Sequence, residues 1–573
     1  MSSDAPASLT SRSIQELIGI AENVTLSADP AALFRELLTA AAMTLRDPAG
    51  IIAANTRLLW GYAGAFRAAG ERAIGRDNPG PIAIGRGDNR FTDPAYQENP
   101  AYFLLAQQYL LFSRLVDELL DTAGVSGTRE AKARFAAKFL VDALAPTNIL
   151  AGNPAAIRKA FDTGGKSIGR GIKNMVHDLR HNGGWPSQVD SSGFEVGVNM
   201  AATPGSVVYR SDLIELIQYL PQTPDTYGVP LLFCPPWINK FYIMDLAPGK
   251  SLIEWAVQHG HTCFAISYSN PDKSMSELGF RDYLFQGPLD AVRVVRDITG
   301  AAAVNTVSVC LGGTLTALGL AHNAARGDDS IKSATFLNTH TDFTEPGLLG
   351  TFTDEATVAG LEKQMQKKGF LDAADMARTF SALRSNDLIF QYVANNWLQG
   401  NKPPSFDLLA WNEDSTRMPA RMHSQYLRSC YLRNEFARGE FEIDGNRLDP
   451  SLVDTDTYVL AAVDDHIVPW TSGYKTTQLL GGKSRFVLSS SGHIAGIVNP
   501  PNPKAKHWVS DSLPADPHEW KANADLVNGT WWQDWAAWIA ERGGEMIPAP
   551  DHEGSDNYPP LEQAPGSYVR ATE

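Results

Sequence analysis

The chain has 573 residues, too many for one ordinary domain, and at 43% hydrophobic and 9% aromatic it can bury a large core. Its 49 basic against 64 acidic side chains leave a formal charge of −15, which argues against nucleic acid as the main partner and against a general attraction to anionic membranes. Four cysteines (Cys234, Cys263, Cys310 and Cys430) without CxxC spacing fit free thiols in a reducing compartment, not a disulfide scaffold.

The opening MSSDAPASLT lacks the basic start and apolar core of a secretory signal. No run approaches the roughly 18 apolar residues of a membrane span. A cytoplasmic location is expected, with residues 1 to about 30 mobile. From Pro30 to Ile74 and from Tyr102 to Leu144, apolar residues recur at helical spacing. The stretch between, GDNRFTDPAYQENPAYF (87–103), carries the Gly, Pro, Asn and Asp of a loop. GGKSIGRG (164–171) is Gly-rich and basic but lacks the GxxxxGK[ST] spacing and a preceding strand, so it is not read as a phosphate loop. Residues 1–193 therefore read as a mostly helical N-terminal domain.

Near Phe194 the pattern changes. Short apolar runs at Val229–Cys234, Thr262–Tyr268, Thr306–Leu311, Ala334–Leu337, Thr457–Val463 and Arg485–Leu488 alternate with helical stretches at Ser251–Gln258, Tyr283–Ile298 and Thr314–Ala325. This alternation predicts a mostly parallel sheet covered on both faces, an α/β fold over 194–573. From about Thr341 to Gly439 the alternation stops, and aromatic and aliphatic residues at helical spacing predict an inserted cap subdomain. WWQDWAAW (531–538) reads as a helix packed on the sheet, and the last 30 residues as an extended arm.

The stretch VNTVSVCLGGTLTAL (304–318) is a β-branched run, a sharp turn and a helix with Cys310 at the apex, the pattern of an α/β-hydrolase nucleophile elbow. The strained apex demands small neighbours, and Ser308 and Gly312 supply them. A helix N-terminus favours a thiolate there. A thiol nucleophile needs a base and the base an orienting acid, in the chain order nucleophile, acid, His. The run Thr457–Val463 leads into DDHIVPW, which offers Asp465 as the acid, with Asp464 as its neighbour and His466 as a rival base. Arg485–Leu488 leads into SSSGH and offers His493 as the base. Oxyanion donors are expected from the backbone N–H of Leu311 and from the loop CPPWINK, at Ile238 or Asn239. Lys240 is open to a structural role. The remaining histidines show no metal-ligand spacing.

A Cys–His pair with an oxyanion hole performs acyl transfer. A thiolate attacking an oxygen ester would climb to a thioester, whereas a thioester donor makes the exchange nearly neutral. The cysteine thus points to an acyl-CoA or similar donor and to transfer onto an alcohol.

SVCLGG, DDHIVPW, SGHIAGIVNPP, PPWINKFYIMDL, NRFTDPAYQENPAY and SFDLLAWNEDSTRMP, several of them specific and all in the right order along the chain, together resemble polyhydroxyalkanoate synthase in its single-subunit long form, from about residue 80 to the C-terminus. Ser308 departs from the glycine usual in the family. The resemblance implies an α/β-hydrolase fold and polymerisation of (R)-3-hydroxyacyl-CoA into a polyester with release of CoA. Cys310 would carry the acyl group, His493 would be the general base and Asp465 the acid. It implies no metal or bound organic cofactor, a homodimer, and association with polymer granules through the helical N-terminal region. Asn239, Trp411 and Ala495 are candidate substrate contacts. Ala495 resembles the short-chain branch, and SDLIELIQY (211–219) and PSFDLLAWNEDSTRMP the medium-chain branch. The expectation is 3-hydroxybutyryl-CoA. A thioesterase or polyester hydrolase sharing these residues, or a non-catalytic granule-surface protein, are the alternatives.

Overall fold

The computed structural model describes residues 30–85 and 88–571, with side chains from residue 35. The expectation of mobility for the first 30 residues lies outside these, as does Gly87 of the first loop. The chain forms two compact units: residues up to 190 together with 375–405, and residues 191–374 together with 406–573.

The first unit is helical: α1 (Pro30–Thr44), α2 (Pro48–Ala73), α3 (Pro100–Thr122), α4 (Thr128–Ala143), α5 (Pro154–Asp162) and α6 (Lys166–His181). Proline at the first helical position and an Asx cap start α2, α3 and α5: Asp47, Asn99 and Asn153 each accept from a backbone N–H of the first turn. GGKSIGRG is the start of α6, with Gly165 left-handed just before it. Phe91, Tyr96, Ala106, Tyr109 and Val141 form one core cluster. Residues 375–405, expected within the cap, belong to this unit for a polar reason. Buried Asp142 accepts from Arg90 (3.2 Å), Lys138 (2.6 Å), Ser385 (2.7 Å) and Asn386 (2.9 Å). Trp397 Nε1 likewise donates to buried Asp178 at 2.7 Å. A buried carboxylate is tolerable only when so paired.

The second unit is built on a twelve-stranded sheet. Its strands are β1 (Gly205–Arg210), β2 (Ile214–Tyr219), β3 (Asp225–Cys234), β4 (His261–Tyr268), β5 (Val304–Val309), β6 (Ile331–Leu337), β7 (Asp456–Ala462), β8 (Ser484–Ser489), β9 (Lys506–Val509), β10 (Asp525–Asn528), β11 (Met546–Pro548) and β12 (Glu562–Gln563). They lie in the order β10-β9-β8-β7-β6-β5-β3-β4-β2-β1-β12, with β11 beside β3. The centre, from β4 through β3, β5, β6 and β7 to β8, is parallel. β4 and β5 are buried end to end, and the other central strands are buried over their carboxyl halves, as a sheet covered on both faces requires. The hairpin β1–β2 and its antiparallel pairing to β4 were not anticipated. The expected helix over 283–298 is broken at Gly287-Pro288, because proline cannot continue a preceding helix. The helices that matter for the site are α7 (Leu311–Ala324), α8 (Trp470–Leu479), α9 (His493–Ile497) and α10 (Trp531–Ala540). Between Leu337 and Asp456 the chain leaves the sheet and is mostly helical.

Candidate active site

Cys310 sits between β5 and α7 with φ 50° and ψ −119°, a conformation that costs an L-residue about 1–3 kcal/mol. Its backbone is fixed from several sides. The Cys310 N–H donates to Leu337 O at 2.9 Å, and its carbonyl accepts from Gly313 N (3.0 Å) and Thr339 Oγ1 (3.2 Å). The turn needs the two glycines after it. A Cβ on Gly312 would lie 2.3 Å from Cys234 O, and one on Gly313 would lie 2.2 Å from Thr339 Oγ1. Ser308 is fully buried, and its hydroxyl lies 2.9 Å from Thr316 Oγ1. The Thr316 proton goes to Gly312 O at 2.9 Å, so Ser308 donates to Thr316. The departure from glycine at 308 is thus satisfied by hydrogen bonding.

The chain leaving β7 turns so that Asp465 points inward. Its Oδ1 accepts from the backbone N–H groups of Ile467 (2.8 Å) and Val468 (2.9 Å). Its Oδ2 lies 2.6 Å from His493 Nδ1. Asp464 is exposed, and its N–H donates to Ser491 O at 2.9 Å. Of the two adjacent carboxylates, Asp465 is the one that meets the imidazole.

His493 is buried at the start of α9, after Ser491, which takes a positive φ of 87°. The expected helix over 531–538 is present as α10 and seats this loop. Trp531 Nε1 donates to Gly496 O (2.8 Å) and Trp532 Nε1 to Ile497 O (2.9 Å), so the last carbonyls of α9 are satisfied by tryptophan. With Nδ1 on Asp465, Nε2 is the ring atom left to meet the Cys310 thiol. Burial alone would depress the His493 pKa. The Asp465 carboxylate and then the negative charge of Cys310 override it and raise the pKa to about 10.

Leu311 is the first residue of α7 and has no carbonyl a turn earlier in its own helix to receive its N–H. The loop after β3 is held tightly. Lys240 is buried, and its ammonium bonds Val569 O (2.7 Å), Ala571 O (3.2 Å) and Asp414 (2.7 Å), a structural anchor. Trp411 is buried too, and its indole N–H donates to Lys240 O at 2.9 Å. Asn239 forms a backbone bridge with Ser415, and Ile238 is buried beside it. Trp411 and Asn239 therefore brace the loop that carries Ile238. Ala495 is exposed on α9.

Two buried tyrosines of the insertion feel the charge of Cys310: Tyr426, one of the insertion aromatics that the sequence offers as cap core or channel lining, and Tyr431, which the sequence did not mark. Tyr426 donates to Tyr431 at 3.2 Å, and both rings are buried. Burial raises both phenols, and the charge of Cys310 raises them further. Phe343 packs on Tyr431 with ring centroids 5.0 Å apart. In sequence these aromatics look like ordinary cap core.

A strained thiol at a strand–helix turn, an imidazole on it and a carboxylate behind, at the carboxyl ends of β5, β7 and β8, define an α/β-hydrolase-fold protein. The alpha/beta hydrolase fold family model matches residues 229–500, and the model for the poly-beta-hydroxybutyrate polymerase N-terminus matches residues 87–256. The poly(3-hydroxyalkanoate) polymerase of Methylorubrum extorquens is 41% identical over 94% of this chain and 89% of its own. The poly(3-hydroxyalkanoate) polymerase subunit of Cupriavidus necator is 42% identical over 84% of this chain and 83% of its own. Among solved structures, a hydrolase from Oleispira antarctica aligns with 50% of this chain and 89% of its own, at 10% identity and a TM-score of 0.30. The chain belongs to the poly(3-hydroxyalkanoate) polymerase family and is an acyltransferase. Among the described residues no single helix is long and apolar enough to cross a membrane.

Proposed function

We propose that this enzyme polymerises (R)-3-hydroxyacyl-CoA, with 3-hydroxybutyryl-CoA as the preferred monomer, into polyester through an acyl thioester on Cys310. The observation that carries the reading is the Asp465–His493 hydrogen bond set beside the strained Cys310 at the elbow of a chain from this family. His493 Nε2 takes the thiol proton while Asp465 stabilises the imidazolium that results. The thiolate attacks the thioester carbonyl of the substrate, and the N–H groups of Leu311 and Ile238 receive the charge on oxygen. The C–S bond to CoA breaks, and the imidazolium returns its proton to the departing CoA thiolate. His493 then removes the proton of an incoming 3-hydroxyl, which attacks the acyl-Cys310. The new ester forms and the Cys310 sulfur leaves, recovering the proton from His493. No cofactor is needed, because CoA enters with the substrate and departs as product.

On the family resemblance, the partners are the growing chain, a second copy of the protein and the surface of cytoplasmic polymer granules. The test is to mix the protein with (R)-3-hydroxybutyryl-CoA and follow free CoA and free 3-hydroxybutyrate together, with Cys310→Ala in parallel. CoA release with little free acid and rising turbidity, lost in the variant, is expected. Matching free acid would mean a thioesterase. Release that survives in Cys310→Ala would exclude Cys310 as nucleophile.

A further inference from the structure

The polar residues leaving β6 have no part in the reaction steps above, yet they touch all three loops of the site. Asn338 is fully buried with φ 47°, and its N–H donates to Leu460 O of β7 at 2.9 Å. Its side-chain Nδ2 donates to the carbonyl of His493 itself. The residue before it, Leu337, receives the Cys310 N–H, and the residue after it, Thr339, donates to Cys310 O. His340 then faces the acid loop. Its Nε2 lies 3.2 Å from Ile467 O, so that nitrogen carries the proton, and its Nδ1 lies 2.9 Å from Ser472 Oγ at the start of α8. Ile467 also supplies one of the two N–H groups that hold Asp465 Oδ1. The His340 carbonyl accepts from Thr314 Oγ1 in the first turn of α7 at 2.7 Å.

Packing alone does not account for this choice of residues. Asn338 takes a left-handed backbone, and among the described residues its Oδ1 has no hydrogen-bond partner. His340 is 3% exposed and buries an imidazole where an apolar side chain would cost less. Both polar groups spend their donors on the backbone of the loops that carry His493 and Asp465. We infer that Asn338 and His340 are positioning residues, Asn338 fixing the backbone of the base and His340 that of the acid. The exit of β6 thereby sets the distances along Asp465, His493 and Cys310. This rests on the roles proposed above for those three residues.

The test compares full-length Asn338→Gly, Asn338→Asp, His340→Gln and His340→Leu with the parent and with His493→Gln. Glycine suits the positive φ and removes only the side chain. Aspartate keeps the shape but sets an oxygen against the His493 carbonyl. Glutamine can place an N–H near the position of the imidazole Nε2, and leucine cannot. The readouts are kcat and KM for (R)-3-hydroxybutyryl-CoA, the alkylation rate of Cys310 by iodoacetamide, and the thermal midpoint. A displacement of about 1 Å at a reacting group costs about 100-fold, so kcat should fall about 10- to 100-fold in both Asn338 variants and in His340→Leu, with KM within about threefold. Cys310 alkylation should slow in parallel, and His340→Gln should stay within about threefold of the parent.

The inference is overturned if Asn338→Gly and His340→Leu keep parental kcat while His493→Gln is inactive. It is equally overturned if the loss of kcat only tracks the fraction of unfolded protein. His340→Gln as impaired as His340→Leu would remove the part assigned to the His340 N–H. Turnover surviving in His493→Gln would overturn the reading of the site, and this inference with it.

Discussion

Replacing Asp465 with asparagine isolates the electrostatic part of the site. Asparagine can keep its oxygen where Oδ1 accepts from Ile467 and Val468, so the loop retains its shape. Its NH2 then replaces Oδ2, 2.6 Å from His493 Nδ1. Two N–H groups cannot face each other, so the neutral ring moves its proton to Nε2, the atom that must accept from the thiol. The imidazolium also loses its counter-charge. Opposite charges about 4 Å apart attract by about 4 kcal/mol at an effective dielectric of 20, and each 1.36 kcal/mol is a factor of ten in rate. Asp465→Asn should therefore lower kcat about 1,000-fold, with the thermal midpoint little changed and KM within a few-fold. Stopped-time assays of CoA release under saturating (R)-3-hydroxybutyryl-CoA measure this. A folded Asp465→Asn within tenfold of the parent, or an Asp464→Asn that loses more, would refute the reasoning.

Three further outcomes follow from the same geometry. The raised His493 pKa means that its contribution to stability is complete below about pH 6.5 and is lost as pH rises towards 10. Urea midpoints of the parent should fall across that window more steeply than those of His493→Gln, and parallel curves would contradict the assignment. Gly312→Ala drives a methyl against two backbone carbonyls, so it should lower stability by about 3 kcal/mol or more and leave little folded protein in a thermal melt. Ser308→Ala removes one buried hydrogen bond and should cost about 1 kcal/mol in urea unfolding, with kcat within about threefold. A larger loss of kcat than of stability in Ser308→Ala would give Ser308 a part in the reaction.

The elbow could be read from sequence because the demands of a strained turn are local: a β-branched run, an apex nucleophile and small residues around it. Asp465 and His493 could be read because each follows an apolar strand in a fixed chain order. Asp465 is already preferred over Asp464 in the sequence, but the reason is visible only in the structure, where the backbone turns Asp465 onto the imidazole and Asp464 outward. The hairpin β1–β2 escaped because Glu215 and Gln218 break its apolar run, although both are buried. Glu215 is satisfied by Arg210 at 2.6 Å and by the N–H groups of Ser567 and Tyr568, partners hundreds of residues away. Asn338 and His340 escaped for a related reason. They look like the polar start of an insertion, and their meaning lies in long-range contacts that no spacing records. The grouping of 375–405 with the helical unit depends on Asp142 and Asp178 in the same way.

The grip on Lys240 has a consequence for how activity is acquired during folding. The loop that carries Ile238 is clamped by carbonyls of Val569 and Ala571, and β11 and β12 bring that distant segment back along β3 and β1. Closing so long a stretch of chain is entropically unfavourable until the sheet it docks on exists. Refolding should thus proceed in two stages, with the central parallel strands forming first and the loop after β3 locking only when the strap arrives. Recovered catalysis would then trail recovered secondary structure, and proteolytic loss of residues 546–571 would leave a sheet that is largely intact but unable to turn over substrate.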